Sequence, residues 1–184
     1  MVNLPPNGRK AVFLDRDGVI NESLVRDGKP FSPRTFDDFH LYPESIEACA
    51  VLVSAGFLAI VVTNQPDIGR GLMKPCELNA MHQHLLERIP GCEIEVCCSP
   101  GSEHPVCPSR KPGTGMLLRA AERLDIQLQR SFMVGDRWRD IDCGAAAGCR
   151  TVFIERGYDE ALKTPPDHVC ADLLSAVRWI IAQP

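Results

Sequence analysis

The chain has 184 residues, of which 45% are hydrophobic and 24% charged. This balance is typical of one folded domain, and we expect residues 1–184 to form a single domain. The formal net charge is only −4 and no run of like charges stands out, so the sequence gives no electrostatic support for binding to nucleic acid or to a membrane surface. A small anionic substrate stays open, because a few well-placed cations can bind it.

The sequence shows neither a membrane span nor an export signal. No apolar stretch reaches the roughly 20 residues that cross a bilayer, and Met1–Lys10 lacks the apolar run of a signal peptide. We therefore expect a cytoplasmic protein whose nine cysteines are reduced. Four of them lie among apolar or small residues and are predicted to pack in the core: Cys49, Cys143, Cys149 and Cys170.

Short apolar runs rich in Val, Ile and Phe predict buried strands. In chain order these runs are Ala11–Leu14, Phe57–Val62, Glu93–Val96, Ser131–Val134, Thr151–Ile154 and a weaker one at His168–Cys170. Helical patterns separate them, beginning near Pro43 and then covering Glu77–Arg88, Gly115–Leu124, Asp140–Ala147 and Asp172–Ala182. The alternation predicts an α/β fold, a Rossmann-like parallel sheet between two helical layers in a three-layer α/β/α arrangement.

The first helix has a predicted inner face and a predicted end. Ile46, Cys49, Ala50 and Val53 recur at helical spacing, so we expect them to face the core. Gly56 follows, and we expect it to adopt the left-handed conformation that often ends a helix.

Parallel sheets of this kind bind ligands beyond the carboxyl ends of their strands, so the polar residues that follow each predicted strand are site candidates. The first strand ends in Phe13-Leu14-Asp15-Arg16-Asp17-Gly18, which places two carboxylates two residues apart. A divalent cation such as Mg²⁺ would offset their repulsion. An ordinary turn containing Asp and Gly is the alternative.

Later predicted strands are followed by complementary groups. Thr63-Asn64-Gln65 offers a hydroxyl and two amides, Arg110-Lys111-Pro112 offers two cations before a helix N-terminus, and Gly135-Asp136 is followed by Asp140. Each motif taken singly is compatible with a solvated loop. Their ordered occurrence at four neighbouring positions favours one functional site.

These ordered motifs resemble those of the haloacid dehalogenase superfamily, over essentially the whole chain. The matching residues are Asp15, Asp17, Thr63, Lys111, Asp136 and Asp140. The resemblance narrows to the branch that contains heptose-bisphosphate and histidinol-phosphate phosphatases, on Asp15-Arg16-Asp17-Gly18 with Asn21, Thr63-Asn64-Gln65 before Gly69-Arg70-Gly71, and Arg110-Lys111-Pro112. It implies a Mg²⁺-dependent phosphatase that hydrolyses a phosphomonoester of a small metabolite.

The resemblance also implies roles for the matching residues. Asp15 would attack phosphorus to form an aspartyl-phosphate, and Asp17 would act as general acid and then general base. Thr63 and Lys111 would hold the phosphoryl oxygens. Mg²⁺ would bind Asp15, the main-chain carbonyl of Asp17, and Asp136. Asp140 would orient Lys111 or a metal-bound water.

Substrate recognition is expected from a second group of residues in the matching motifs. They are Arg16, Asn21, Asn64, Gln65, Arg70, Arg110 and Arg137. The implied substrate is D-glycero-D-manno-heptose 1,7-bisphosphate, hydrolysed at the 7-phosphate, with histidinol phosphate or another sugar phosphate as the alternative. Arg137 stands where the heptose branch has Lys, which keeps the charge and changes its geometry.

One loop departs from the branch, which usually carries a zinc site of Cys-x-His followed by Cys-x-Cys before Arg-Lys-Pro. Cys97 and Cys107 match two ligands, but Ser99 and Ser109 replace the other two, and serine is a poor zinc ligand. An altered site would use Cys97, Cys98, His104 and Cys107. Adjacent Cys97 and Cys98 would strain one tetrahedron, and we favour a metal-free loop because two of the usual ligands are missing.

Two further expectations concern the whole protein. The stretches Arg16–Tyr42 and Asp67–Ser109 are too short or too occupied to hold a cap domain, so we expect an uncapped monomer that binds a small phosphorylated metabolite. A receiver-like regulator without turnover, or a degenerate binding module, is the competing class. Asp17 favours the enzyme, because it supplies an acid/base that a long-lived phosphoryl group would not need.

Overall fold

The computed structural model describes residues 8–103 and 105–184. Its central feature is a six-stranded sheet in which every neighbouring pair is parallel. The strands are β1 (Lys10–Leu14), β4 (Phe57–Asn64), β5 (Glu93–Cys97), β6 (Phe132–Gly135), β7 (Arg150–Ile154) and β8 (His168–Cys170). A separate antiparallel hairpin is formed by β2 (Leu24–Arg26) and β3 (Lys29–Phe31).

The strand order is β5-β4-β1-β6-β7-β8. The chain winds outward from β1 through β4 to β5, then returns to the other side of β1 and winds outward again. The order therefore reverses between β1 and β6, and such a reversal opens a crevice at the carboxyl ends of the strands. Asp15 directly follows β1 and lies at this crevice. Its backbone N–H donates a hydrogen bond to the carbonyl of Val134 in β6 at 2.9 Å.

Helices cover both faces of the sheet. They are α1 (Pro43–Ser54), the short α2 (Pro66–Gly69), α3 (Pro75–Arg88), α4 (Gly115–Leu124), α5 (Trp138–Ala147) and α6 (Leu173–Ile181). Side chains of α1, α3 and α6 share one hydrophobic cluster, and those of α4 and α5 share the other. The predicted three-layer α/β/α fold is confirmed.

The central strand supplies both clusters through its period-2 alternation. Val12 and Leu14 point into the first cluster, whereas Ala11 and Phe13 point into the second, and all four are fully buried. A strand buried on both faces reads as a continuous apolar run, which is why β1 was predictable. Its rigid end fixes where the residue that follows, Asp15, can lie.

The predicted inner face of α1 is wrong in part: Cys49 is buried and Ile46 packs partly buried against the core, but Ala50 and Val53 are exposed. The buried residues are Ser45, Ala48, Cys49 and Leu52, while Val53 is 44% exposed. Ser45 is tolerated inside because its hydroxyl donates to the carbonyl of Tyr42 at 2.7 Å. A pattern search that counts serine as polar therefore places the buried face of the helix about one residue too far along the sequence. The expected left-handed Gly56 is present, with φ of +83°.

The segments between β1 and α1 and between β4 and α3 hold only small elements. The described chain between β1 and α1 contains the β2–β3 hairpin and one turn of 3-10 helix at Phe36–Asp38, and α2 follows β4. No further sheet or helical bundle is inserted in these described segments. The single domain of residues 1–184 stays a prediction.

Among the described residues, no helix has both the length and the apolar character that a bilayer crossing requires.

Candidate active site

A buried ion triad lies at the crevice. The ammonium of Lys111 is 2.8 Å from Asp15 Oδ1 and 2.7 Å from Asp140 Oδ1. Burial, and next the charge of Asp140, raise the pKa of Asp15 to about 6, although Lys111 opposes both. Burial would lower the pKa of Lys111, but Asp140 and Asp15 outweigh it and raise the pKa above its ordinary value. Lys111 is therefore held protonated beside Asp15.

Asn64 fixes the backbone of Lys111. Its side-chain amide donates to the Lys111 carbonyl and its oxygen accepts from the Lys111 N–H, both at 3.1 Å. This reciprocal pair ties the end of β4 to the loop before α4. Asn64 is one of the residues predicted to bind substrate, and its side chain also lines the cavity described below.

The carboxylate of Asp136 completes an acidic cluster. One carboxylate oxygen from each of Asp15, Asp136 and Asp140 lies within 4.8 Å of the others. Neither oxygen of Asp136 makes a hydrogen bond of normal geometry with the described residues, although the Tyr158 hydroxyl lies close enough to act on the pKa of Asp136. Burial, then the charges of Asp15 and Asp140, raise the pKa of Asp136 well above its usual range. Three buried carboxylates that converge on one position offer the hard oxygen donors that fit a Mg²⁺ ion.

Asp17 is the most fully hydrogen-bonded carboxylate of the site. Its Oδ1 accepts from Arg16 at 2.8 and 3.0 Å and from Asn21 at 3.0 Å. Its Oδ2 accepts from Ser32 at 2.7 Å and from Gln65 at 2.9 Å. Burial acts to raise the pKa of Asp17, but Arg16 and these donors outweigh it and hold the pKa below the ordinary value.

Three predicted substrate residues surround Asp17 and do not line the cavity. Arg16, Asn21 and Gln65 are each fully buried. The guanidinium of Arg16 turns inward, where it pairs with Asp17 and lies 3.3 Å from His82 Nε2. Gln65 also donates to the hydroxyl of Thr63 at 2.9 Å. Their placement favours a role in holding Asp17 and Thr63 over contact with a substrate.

A cavity of about 310 Å³ opens above Asp15 and Asp17. Its wall is rich in cationic groups, and it also includes the β2–β3 hairpin. The lining residues are Asp15, Asp17, Ser23, Lys29, Pro30, Phe31, Ser32, Asn64, Pro66, Asp67, Arg70, Arg110, Lys111, Arg137 and Arg139. Arg70, Arg110 and Arg137, which the sequence predicted to bind substrate, therefore all face the same space.

The predicted arginines differ in how they are held. Arg137 forms a two-pronged ion pair with Glu160, in which Nε to Oε2 measures 2.9 Å. Arg70 contacts Asp67 at 3.4 Å, and Asp67 is also paired with Arg34 at 2.6 Å. Arg110 instead donates to the carbonyl of Ser99 at 3.0 Å. Its guanidinium therefore has unused donors beside the cavity.

The altered cysteine loop supplies two close sulfur atoms. Cys97 Sγ and Cys107 Sγ are 3.8 Å apart. Within the described residues, no third cysteine, histidine or carboxylate joins them in a group compact enough for one metal ion. Ser99 donates to Glu103 and Ser109 accepts from Arg119, so both serines are engaged elsewhere. His104 lies outside the described residues, and the altered zinc site stays untested.

Several residues of the site were not found from the sequence. Ser32 donates to Asp17, Asp67 bridges two arginines, and His82 contacts Arg16 from α3. Ser32 and His82 reach the site through a loop and a helix outside the motifs, whereas Asp67 lies between two quoted motifs and has no spacing of its own that would mark it. Arg139 lies inside a recognised motif, where its basic character was the available signal.

Replacing His82 with Gln should make the protein less sensitive to acid. Burial, then the positive charge of Arg16, lower the pKa of His82 to about 4 from an ordinary 6.5. Between these values the unfolded chain binds a proton that the folded protein excludes, so stability falls as the pH drops from 6.5 to 4. We expect a loss of about 1–2 kcal/mol, discounted for the partly exposed ring.

Urea unfolding of the parent protein, His82→Gln and His40→Gln at about pH 7 and about pH 4.5 measures this difference. His40 is an exposed histidine on the loop before α1 and serves as the matched control. The free energy of unfolding should fall less in His82→Gln than in the other two proteins. Equal falls in all three would contradict a His82 that stays neutral in the folded protein.

Comparison with known proteins places this site in a family. Residues 108–176 match the family model described as HAD-hydrolase-like, where HAD stands for haloacid dehalogenase. The chain is 34% identical over 182 residues to the D-glycero-beta-D-manno-heptose-1,7-bisphosphate 7-phosphatase of Bordetella bronchiseptica, covering 95% of this chain and 99% of that protein. It is 32% identical to the D-glycero-D-manno-heptose-1,7-bisphosphate 7-phosphatase of Chlorobaculum tepidum, covering 95% and 96%.

A solved structure agrees. The crystal structure of the B. bronchiseptica D,D-heptose 1,7-bisphosphate phosphatase, complexed with magnesium and phosphate, superposes with a TM-score of 0.78 and 31% identity. The superposition covers 94% of this chain and 98% of that one. The chain belongs to the haloacid dehalogenase superfamily, in the branch of the heptose-bisphosphate phosphatases, and is a phosphomonoester hydrolase.

Proposed function

We propose that the protein is a Mg²⁺-dependent phosphatase that removes the 7-phosphate of D-glycero-D-manno-heptose 1,7-bisphosphate through an aspartyl-phosphate on Asp15. The observation that carries the proposal is the position of Asp15. Its carboxylate forms an ion pair with Lys111 and lines a cavity that is rich in cationic side chains. A carboxylate in that position meets the phosphoryl group of an incoming monoester. The other cationic side chains of the wall are then available to bind the remaining anionic groups of the substrate.

Asp15 is the proposed nucleophile. One of its carboxylate oxygens attacks phosphorus, the bond from phosphorus to the sugar oxygen breaks, and an acyl phosphate forms. Lys111 contacts Asp15 directly and is positioned to balance the negative charge of the phosphoryl oxygens. Thr63, buried beside Gln65, is the proposed second contact for those oxygens.

Asp17 is the proposed acid/base. In its protonated form it gives a proton to the departing sugar alkoxide and is left as a carboxylate, which afterwards takes a proton from the water that attacks the acyl phosphate. Its carboxylate lines the same cavity as Asp15. Arg16, Asn21, Ser32 and Gln65 restrict its orientation through hydrogen bonds to both oxygens. A fixed orientation favours proton transfer along one direction.

Asp15, Asp136 and the main-chain carbonyl of Asp17 are the proposed Mg²⁺ ligands. The two carboxylates lie close together and Asp136 has oxygens free to ligate. The ion supplies positive charge that lets an anionic phosphate approach an anionic nucleophile. Asp140 remains on Lys111, which it holds at 2.7 Å.

The heptose substrate is favoured by the relatives. The proteins from B. bronchiseptica and C. tepidum carry that activity in their names and are covered over nearly their whole length. A sugar bisphosphate also suits a cavity whose cations exceed those needed at the scissile phosphate. Arg70, Arg110 and Arg137 are the proposed contacts to the remainder of the substrate.

Phosphate release tests the proposal. Purified protein with Mg²⁺ is assayed on both anomers of the heptose 1,7-bisphosphate, on histidinol phosphate and on an aryl phosphate. A clear preference for one heptose anomer supports the proposed substrate and selects the anomer. Preference for histidinol phosphate would replace the substrate and keep the chemistry. Absence of turnover on all four would overturn the proposed activity.

Removal of the metal should abolish activity, and Mg²⁺ should restore it. Without a cation, the like charges of Asp15, Asp136 and Asp140 oppose folding. We therefore expect Asp136→Asn in EDTA to melt at the same temperature as the parent or higher, and to lose the stabilisation that Mg²⁺ gives the parent. Its activity at saturating substrate should fall by about 10²-fold or more.

Thermal melts with and without Mg²⁺, paired with phosphate release, measure both effects. Asp37→Asn is the matched control, because Asp37 is an exposed carboxylate outside the cluster. It should keep the Mg²⁺-dependent rise in melting temperature. An undiminished rise in Asp136→Asn would refute the assignment of Asp136 as a ligand.

A further inference from the structure

The cavity contains more positive charge than its carboxylates neutralise. Its six cationic lining residues are Lys29, Arg70, Arg110, Lys111, Arg137 and Arg139. Lys111, Arg70 and Arg137 are each paired with a carboxylate. No ion pair to a described carboxylate forms at the other three. An unpaired cation in a concave wall is a site for an anionic ligand.

Arg139 is the least satisfied of these cations. Its guanidinium makes no hydrogen bond with any described residue, and its buried Nε has no acceptor. Its guanidinium carbon lies 5.7 Å from the centre of the Trp138 ring. Burial, followed by repulsion from Arg137, lowers its pKa. A bound anion would supply both the missing acceptor and the missing charge.

Glu160 does not fill this role, because it is committed to Arg137. Both of its carboxylate oxygens bond to the guanidinium of Arg137. Arg139 and Lys29 lie close enough to influence the charge of Glu160, yet neither contacts it. The Glu160 carboxylate therefore lies near three cations, Lys29, Arg137 and Arg139, but it accepts hydrogen bonds from Arg137 alone.

The position of Arg139 ties it to the catalytic centre. It occupies the first turn of α5, between Asp136 and Asp140, which holds Lys111. A rigid helix thus fixes the separation between the scissile phosphate on Lys111 and an anion on Arg139. Such a fixed separation selects substrates with two anionic groups at a matching distance.

We propose that Arg139 binds the second phosphate of the substrate, the one that is not hydrolysed, and so sets the preference for a bisphosphate over a monophosphate. This inference rests on the proposed function. Arg137, restrained by Glu160, then contributes charge more than a two-pronged grip. Arg139 is a binding residue in this scheme and does not touch the reacting atoms.

The test compares two substrates that differ by one phosphate, the heptose 1,7-bisphosphate and the heptose 7-phosphate. In Arg139→Gln the KM for the bisphosphate should rise about 30-fold while kcat changes less than about threefold. Kinetics on the 7-phosphate should change less than about threefold. Arg139→Lys should recover part of the loss, because it restores the charge without the planar fork. Arg123→Gln, an exposed arginine paired with Glu93, is the control.

The outcomes separate the inference from the proposed function. Failure of the parent protein on both heptose substrates would overturn the proposed function, and the inference with it. With an active parent, equal losses on both substrates in Arg139→Gln and Arg139→Lys would indicate a structural role and overturn the inference. Unchanged kinetics on both substrates in Arg139→Gln would overturn it as well. A selective rise in KM for the bisphosphate supports it.

Discussion

Asp15→Asn should lower phosphate release by about 10⁴-fold or more while leaving the fold intact. An amide is a far weaker nucleophile than a carboxylate, and the other described carboxylate that lies against Lys111, that of Asp140, does not line the cavity. Stability should change little, because the pKa of Asp15 is raised by burial and by Asp140. Removing that charge relieves repulsion and offsets the lost contact with Lys111.

Phosphate release on the preferred substrate, together with thermal melts, measures these two effects. Asp15→Ala guards against slow deamidation of the introduced asparagine back to aspartate, which would mimic residual activity. Asp37→Asn, at an exposed carboxylate, should retain full turnover. Residual activity of more than about 1% in both Asp15 variants would contradict the assignment of the nucleophile.

The sheet and the principal site were predictable because both depend on short-range sequence order. A strand that is buried on both faces has an uninterrupted run of apolar residues in its sequence, as in β1 and β4. The polar residue at its end then falls at the carboxyl edge of the sheet by topology alone. Asp15, Thr63 and Asp136 could therefore be brought together before any contact was known, whereas Lys111, in the loop between β5 and α4, was placed by the family motif.

The surroundings of Asp17 could not be predicted in the same way. Arg16 was expected to face a substrate, but it turns inward because Asp17, His82 and the ring of Phe39 surround its guanidinium. That choice depends on α3, about 65 residues away along the chain. Nothing in the local sequence records which way a side chain between two aspartates will turn.

The β2–β3 hairpin was missed for a related reason. Its strands are three residues each and include Pro30, so neither gives a periodic signal. The hairpin is nevertheless functional in position, because Lys29 and Phe31 line the cavity and Ser32 follows with a hydrogen bond to Asp17. Short elements at a site rim are specified by tertiary contacts more than by propensity.

Asp17→Asn should separate the two chemical steps. With an aryl phosphate the leaving group needs no proton, so Asp15 should still be phosphorylated. Hydrolysis of the aspartyl-phosphate requires a base for the attacking water, and asparagine cannot accept that proton. We expect a burst of about one aryl alcohol per active site, followed by steady-state turnover slower by about 10²–10³-fold.

Rapid-quench kinetics and intact-protein mass measure the burst and the phosphoenzyme. With the heptose bisphosphate the same variant should show no burst, since a sugar alkoxide leaves poorly without a proton. Ser32→Ala is the informative companion, because it removes one hydrogen bond to Asp17 and keeps its carboxylate. It should slow both steps only modestly. Normal turnover of the aryl phosphate by Asp17→Asn would remove Asp17 from the second step, and the water would then need a different base among the carboxylates of the cluster.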